Sequence, residues 1–489
     1  MEQLRKKEGN REVVFSSLIF TFFFLPIIIL LYFIVKDNYK NYILLVASLL
    51  FYAYGEPVFI FVMLISIIAN YGLALGISRG RKKNKIALPN AMLSLAILLN
   101  IGMLFIFKYL DFSISLINKL FGTNMAILNI ALPIGISFFT FQALSYVIDV
   151  YREVIPVQKN PLYLALYISF FPQLIAGPIV RYSSIAEQLE TRECTLYSFG
   201  EGIRRFFLGF CKKIILANNL SVVASGIFEM SDSVMTTNPL VLWLGAISFS
   251  LQIFYDFAGY SDMAIGLGKM FGFEFEENFN YPYTSKSITE FWRRWHISLG
   301  QWFRDYVYIP LGGSRTSIAH HLFNMFLVWL LTGIWHGANY TFIAWGLGYF
   351  ILLVLEKYII KPEIRNCRFA IVLWQIITLL CINFGWVIFN SCNLKSGILY
   401  CLAMIGYYKV PVTIDVSILY YIREYGVFIV LGIIFSTPIA KKVGGFTEKN
   451  LYIGTIQKIL LPACYGILFL WAVSFLILGA HNPFIYFNF

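Results

Sequence analysis

Histidine exchanges protons near neutral pH, which suits it to general-base work. This 489-residue chain has five: His296, His320, His321, His336 and His481. His336 stands in Leu331-Thr-Gly-Ile-Trp-His-Gly-Ala-Asn-Tyr340, between two apolar runs. A titratable group at such a place is expensive in lipid and so reads as functional. His296 borders an apolar stripe, one turn after Trp292 and Arg293. For both, the plain alternative is an imidazole held by a backbone carbonyl. His320 and His321 read as loop residues, and His481 as part of a C-terminal tail.

Other catalytic patterns are missing. Gly259-Tyr-Ser261-Asp-Met fails the last position of a nucleophile elbow. Gly268-Lys269 lacks the upstream glycine and the hydroxyl residue of a phosphate loop, and no H-E-x-x-H occurs. The seven cysteines form no CxxC pair, so they give neither a disulfide framework nor metal-ligand spacing and read as packing residues. An ATP-driven pump, a classical serine hydrolase and a metal centre are not expected.

The elements that must position the histidines are membrane helices. Of the residues, 59% are hydrophobic and only 13% charged, about half the charge of a soluble domain. Apolar runs near the ~20 residues of a spanning helix recur from end to end. Val13–Val35 carries no charge in its interior and no clear cleavage site, and is expected to stay as a spanning helix rather than act as a signal peptide. The segment 42–54 is short and reads as a half-helix, as does 396–407. Pro133 and Gly135 interrupt 126–150, and Pro172, Gly177 and Pro178 interrupt 161–179. Broken helices are tolerated in a membrane where protein buries them or a wet cavity receives them, so the middle of the chain should hold a cavity. With no repeat or linker, residues 1–489 read as one membrane-embedded domain.

The net charge of +12 is placed at helix ends, at Arg5, Lys6, Lys7 and Arg11, at Arg79, Arg81, Lys82, Lys83 and Lys85, and at Lys441 and Lys442. This is the loop bias that orients membrane proteins, not a nucleic-acid footprint. It places the N-terminus and the 79–85 loop in the cytoplasm. Ser287 and Glu290 form a capping-box pattern. After it, Ile288, Phe291, Trp292, Trp295, Leu299, Trp302 and Phe303 recur at helical spacing, with Glu290, Arg293, Arg294, Gln301, Arg304 and Asp305 mainly opposite. The pattern predicts one amphipathic helix over 286–304 at the cytoplasmic interface.

Phe291-Trp-Arg-Arg-Trp-His-Ile-Ser-Leu-Gly-Gln-Trp-Phe-Arg-Asp-Tyr-Val-Tyr-Ile-Pro-Leu-Gly-Gly313 resembles the signature of membrane-bound O-acyltransferases, and Leu331–Trp345 resembles the family's second histidine motif. Phe51-Tyr-Ala-Tyr-Gly-Glu-Pro57, Leu132-Pro-Ile-Gly-Ile-Ser-Phe138, Phe171-Pro-Gln-Leu-Ile-Ala-Gly-Pro178, Tyr255-Asp-Phe-Ala-Gly-Tyr-Ser-Asp-Met-Ala-Ile-Gly266 and Asn482-Pro-Phe-Ile-Tyr-Phe-Asn-Phe489 fit as well. Within the family the chain is most similar to the bacterial alginate O-acetyltransferase branch. It departs at Gly300, where relatives often carry serine.

The resemblance implies an all-α polytopic bundle of about 10–12 transmembrane helices, with half-helices and an amphipathic interfacial helix around a central tunnel. It implies that His336 is the essential histidine and His296 a supporting one. The reaction would move an acyl group from a cytoplasmic thioester, acetyl-CoA or another, toward a cell-surface polysaccharide or a relay protein across a bacterial inner membrane. No cofactor would be bound. Membrane lipid, an SGNH-like acetyltransferase and a polysaccharide synthase are the implied partners. Arg293, Arg294, Lys212 and Lys213 are candidates for donor phosphates. Trp335, Asn339, Trp295, Gln173 and Asp262 are candidates to line the tunnel. The alternatives are D-alanyl transfer to teichoic acid and, in another class, a transporter or lipid flippase, which broken helices and a midplane histidine would also suit.

Overall fold

The computed structural model describes residues 15–175, 177–360, 368–414, 416–447, 451–478 and 485. The basic N-terminal residues, Cys367, His481 and the closing string apart from Ile485 lie outside them. Among the described residues every regular element is a helix. In lipid a helix satisfies its own backbone, which is what this composition demands. We number the principal helices α1 (Phe20–Ile34), α2 (Asp37–Gly55), α3 (Ile60–Lys82), α4 (Ala87–Phe121), α5 (Ile136–Tyr151), α6 (Pro161–Ser169), α7 (Leu196–Phe228) and α8 (Pro239–Met270). They continue as α9 (Ile288–Arg294), α10 (Ile297–Phe303), α11 (Ile318–His336), α12 (Tyr340–Ile359), α13 (Phe369–Asn390), α14 (Leu394–Met404), α15 (Val416–Phe435) and α16 (Leu451–Ile477). Among the described residues nine are long and apolar enough to cross a membrane: α3, α4, α7, α8, α11, α12, α13, α15 and the Leu460–Ile477 part of α16. Beside them α1, α5 and α14 are shorter apolar helices. The protein is an all-α, multi-pass membrane protein.

Two compact units emerge. One holds residues up to Phe206 with Ser261–Glu276; the other holds Phe207–Tyr260 with Glu277 onward. In the first unit, α2 is 19 residues long, longer than the segment expected at 42–54 because it already starts at Asp37, and it is not among the helices long and apolar enough to cross a membrane. An acidic residue in the first turn suits the positive end of the helix dipole. The Pro/Gly breaks are real and have partners. The helix read from 126 begins only at Ile136, after Gly135 at φ +75°. A Cβ at Gly135 would lie 2.7 Å from the Leu174 carbonyl oxygen, so only glycine fits. The second break falls at Phe170, extended at ψ 110°, and the freed Phe171 N–H donates to Ser48 Oγ at 3.1 Å.

In the second unit, α11 and α12 form a hairpin that carries His336 at its bend. Cβ atoms at Gly333 and Gly346 would lie 2.6 Å from the Phe342 carbonyl oxygen and 2.5 Å from that of Trp329. The two backbones therefore touch, and any larger residue at either position would push the hairpin apart.

Candidate active site

His336 is the last residue of α11. The chain reverses at once, because Asn339 starts α12: its Oδ1 accepts from Thr341 N–H at 3.2 Å, and its Nδ2 donates to the Cys392 carbonyl at 3.1 Å. Asn339, expected as a tunnel residue, is therefore a helix cap. The reversal and the close glycine packing press His336 into a box of rings. Trp335, Trp345 and Phe389 lie at 5.0, 5.1 and 5.1 Å between centroids, all nearly perpendicular, with Phe342 at 6.3 Å. The box leaves the imidazole 9% exposed.

His296 is built differently. The predicted continuous helix over 286–304 does not form. It splits into α9 and α10, with Trp295 extended and His296 left-handed at φ 45°, ψ 53°. The cause lies just upstream, at Asn278 and Asn280. Asn280 N–H donates to the Arg294 carbonyl, and Ile297 N–H to the Asn278 carbonyl, both at 2.9 Å. Asn278 Oδ1 also accepts from Ser298 N–H at 3.1 Å and Ser298 Oγ at 2.9 Å. These bonds hold both sides of the break open and offset a left-handed conformation that costs a non-glycine residue roughly 1–3 kcal/mol. The capping box at the start of α9 does form, with Ser287 Oγ accepting from Glu290 N–H at 3.1 Å.

His296 is only 5% exposed, and burial pulls its pKa from 6.5 down to about 3, so the ring is neutral at physiological pH. Its Nδ1 bonds to no other described residue. Phe279 and Trp335 lie at 6.1 and 5.9 Å. The indole of Trp335 thus touches both histidines, and the structure brings His296, Trp335 and His336 together. Trp295 joins the same wall from another side, with its ring 4.8 Å from Trp386, itself 5.9 Å from Trp345. Within the wall, the indole nitrogens of Trp292 and Trp345 are buried and make no hydrogen bond among the described residues.

The other expected residues divide. Arg294 is taken: it pairs with Glu290 at 2.8 Å and donates to the Asn280 carbonyl at 3.1 Å. Lys213 is the opposite of a phosphate ligand. It is buried at 2% exposure in an ion pair with Asp256 at 2.6 Å, and Asp256 also accepts from Ile485 N–H at 2.9 Å. Lys212 begins the same π-helical turn of α7. Gln173 and Asp262 belong to the first unit, where Gln173 Nε2 donates to the Tyr167 carbonyl at 2.7 Å and Asp262 pairs with Arg205 at 2.6 Å. His320 and His321 are not loop residues. They lie in the first turn of α11, which Ser317 caps, and His321 is buried.

Residues 152–401, which include both site histidines, match the MBOAT, membrane-bound O-acyltransferase family. A probable alginate O-acetylase AlgI of Pseudomonas aeruginosa is 42% identical over 390 residues, 78% of this chain and 73% of that one. The chain belongs to the membrane-bound O-acyltransferase family. A peptidoglycan O-acetyltransferase of Helicobacter pylori is 35% identical to this acyltransferase over 428 residues, 81% of this chain and 80% of that one. A teichoic acid D-alanyltransferase of Bacillus subtilis is more distant, 32% identical over 276 residues, 53% of this chain and 68% of its own.

Proposed function

We propose that this acyltransferase moves an acetyl group from a cytoplasmic thioester, acetyl-CoA or a related donor, across the bacterial inner membrane. The acceptor is a hydroxyl on a cell-surface polysaccharide, or on an SGNH-like partner protein that relays the group to it. The observation that carries this reading is the buried His336 in its aromatic box, linked through Trp335 to the neutral His296. His336 accepts the hydroxyl proton as the oxygen attacks the thioester carbonyl. The carbon–sulfur bond then breaks, and the departing thiolate takes the proton from His336. Trp345, with its indole N–H buried, unbonded and beside His336, is the candidate to donate to the developing oxyanion. His296, neutral throughout, orients the site and carries no charge into it. Acetate is favoured over D-alanine because the acetyltransferase relatives match far more of the chain.

The test is the acyl group itself. A strain lacking the protein should lose acetate from its envelope polysaccharides, and expression of the wild-type chain should restore it. Loss of D-alanine with acetate unchanged would move the protein to the other branch; no loss of any acyl group would overturn the reading.

A further inference from the structure

Helix α4 is 35 residues long. At 1.5 Å per residue it extends about 52 Å, against the ~30 Å of a bilayer's hydrocarbon core. It passes through a π-helical turn at Phe105–Tyr109, where Tyr109 leaves helical geometry at φ −121°, ψ −13°. Beyond that turn Leu110–Phe121 continues for 12 residues and ends at Gly122, left-handed at φ 66°. The chain then comes back without regular structure as far as Ile134. There it is fixed to the end of α2: Ile134 N–H donates to Glu56 Oε1 at 3.2 Å, and its carbonyl accepts from Tyr52 Oη at 3.0 Å.

The returning segment covers the wrong face for water. In Leu110–Phe121 the residues Asp111, Ser115, Asn118 and Lys119 share one side of the helix, and Leu116, Ile117, Leu120 and Phe121 lie on the other. A loop in water would hide the apolar side; this one lies on the polar side. Both Asp111 oxygens accept main-chain N–H groups, from Leu128 at 3.0 Å and from Ile130 at 2.8 Å. Asn118 Oδ1 accepts from Met125 N–H at 2.9 Å and from Thr123 Oγ1 at 2.8 Å, and its Nδ2 donates to the Met125 carbonyl at 2.8 Å. The apolar side stays open among the described residues: Leu120 is 67% and Phe121 76% exposed, and on the loop Met125, Ile127 and Leu128 are exposed too. Asp111 and Lys119 are the only charged residues from 110 to 130.

We propose that residues 110–130 form an arm that lies in the interfacial layer of the membrane, in the leaflet at the opposite end of α4 from the basic loop at 79–85, with lipid as its partner. The open apolar side continues the exposed side chains of the spanning part of α4, among them Leu98, Ile101 and Phe105. In water an apolar patch of this kind is a liability. In lipid the difficulty is the non-helical main chain, whose N–H and C=O groups must find partners within the protein. Asp111 and Asn118 supply those partners at residues 125, 128 and 130. An interfacial segment seats its apolar side about 5–10 Å into the boundary of headgroups and acyl chains. Lys119, exposed on the polar side, extends its ammonium toward the headgroups. The arm's placement is independent of the acyl-transfer reading.

The experiment uses the full chain in liposomes of phosphatidylethanolamine and phosphatidylglycerol. The native cysteines are replaced by alanine, and a nitroxide is placed on one new cysteine at a time. Leu120→Cys and Leu128→Cys report on the arm, and Lys83→Cys, in the basic loop, reports on water. Power saturation reads collisions with oxygen, which concentrates in lipid, and with a nickel chelate present on both sides, which stays in water. The labels at 120 and 128 should meet the chelate about tenfold less often than the label at 83, and oxygen more often, as an interfacial position requires. Chelate collisions at 120 and 128 equal to those at 83 would overturn the proposal. Few collisions with either relaxant would also overturn it, since that result marks a protein contact such as a second copy of the chain. Asp111→Ala should release the loop and shift the label at 128 toward the value at 83, while Asp111→Asn, which keeps one accepting oxygen, should shift it less. A label at 128 that ignores Asp111→Ala would contradict the role given to that carboxylate.

Discussion

His321 and His336 are the same residue type on the same helix, one in its first turn and one at its last residue. Their surroundings share almost nothing. His321 is held at both ring nitrogens by Tyr308, Tyr358 and Lys357 beside a cationic cavity. His336 faces Trp335, Trp345, Phe342 and Phe389. The ring held by two tyrosines and a lysine serves as a fixed post for its neighbours. The ring packed among aromatic faces at the bend of the hairpin is the one the proposed function uses to exchange a proton with a reactant. The role is set by the neighbours that each helix end collects, not by the residue.

The comparison breaks most readily at His336. His336→Ala should lower acyl transfer by about 10²–10⁴-fold, the usual loss of a general base, while His321→Ala, at the opposite end of α11, should lower it far less. Rates from the two purified variants check both halves. Equal damage at the two ends would mean that the helix acts as one structural unit.

A smaller effect is expected where His296 is held. Asn278→Ala removes the acceptor for Ser298 N–H and Oγ, and a buried donor left unsatisfied costs about 1–3 kcal/mol. A lower melting temperature and reduced turnover are expected together, with Asn278→Asp, which keeps the accepting oxygen, recovering more of both than alanine. An alanine variant identical to wild type would show that the break at His296 is held by other contacts.

At the cationic end, Arg293→Gln removes one charge-assisted contact. It should raise the KM for the donor about tenfold, equivalent to 1.4 kcal/mol, with little change in kcat. A kcat defect with KM unchanged would place Arg293 in the chemistry instead of in binding.

The last effect is on stability against pH and is absent at neutral pH. His296 has its pKa lowered from 6.5 to about 3 by burial. The unfolded chain therefore binds a proton that the folded chain refuses between those values. Stability from this group is complete above pH 6.5 and is lost progressively as pH falls toward 3. His296→Gln should flatten that part of the acid-denaturation curve in detergent. A curve of unchanged slope would show that His296 is not the group responsible.

The sequence carried the helical class and the spanning runs, because apolar length is a local signal, and it singled out the two histidines that Trp335 links in the structure. What it did not carry depends on residues far away along the chain. The stripe at 288–303 reads as one helix, and only Asn278 and Asn280, hydrogen-bonding across the break, show why it is two. Lys213 looks like a basic residue at a helix end until Asp256 is seen against it. His321 looks solvated because its partners Tyr308 and Tyr358 come from other elements. Arg293 and Arg294 are neighbours in sequence, and only the geometry shows that Glu290 neutralises one and leaves the other facing a cavity.

The central claim is that His336 carries acyl transfer through the membrane. Proteoliposomes containing the purified protein, with radiolabelled acetyl-CoA outside and a hydroxyl acceptor (a soluble polysaccharide or the SGNH-like partner) sealed within, test it most directly. Wild-type protein should deliver label to the enclosed acceptor, and His336→Ala, inserted to the same level, should deliver about 10²–10⁴-fold less. Equal delivery by the two proteins would contradict the account.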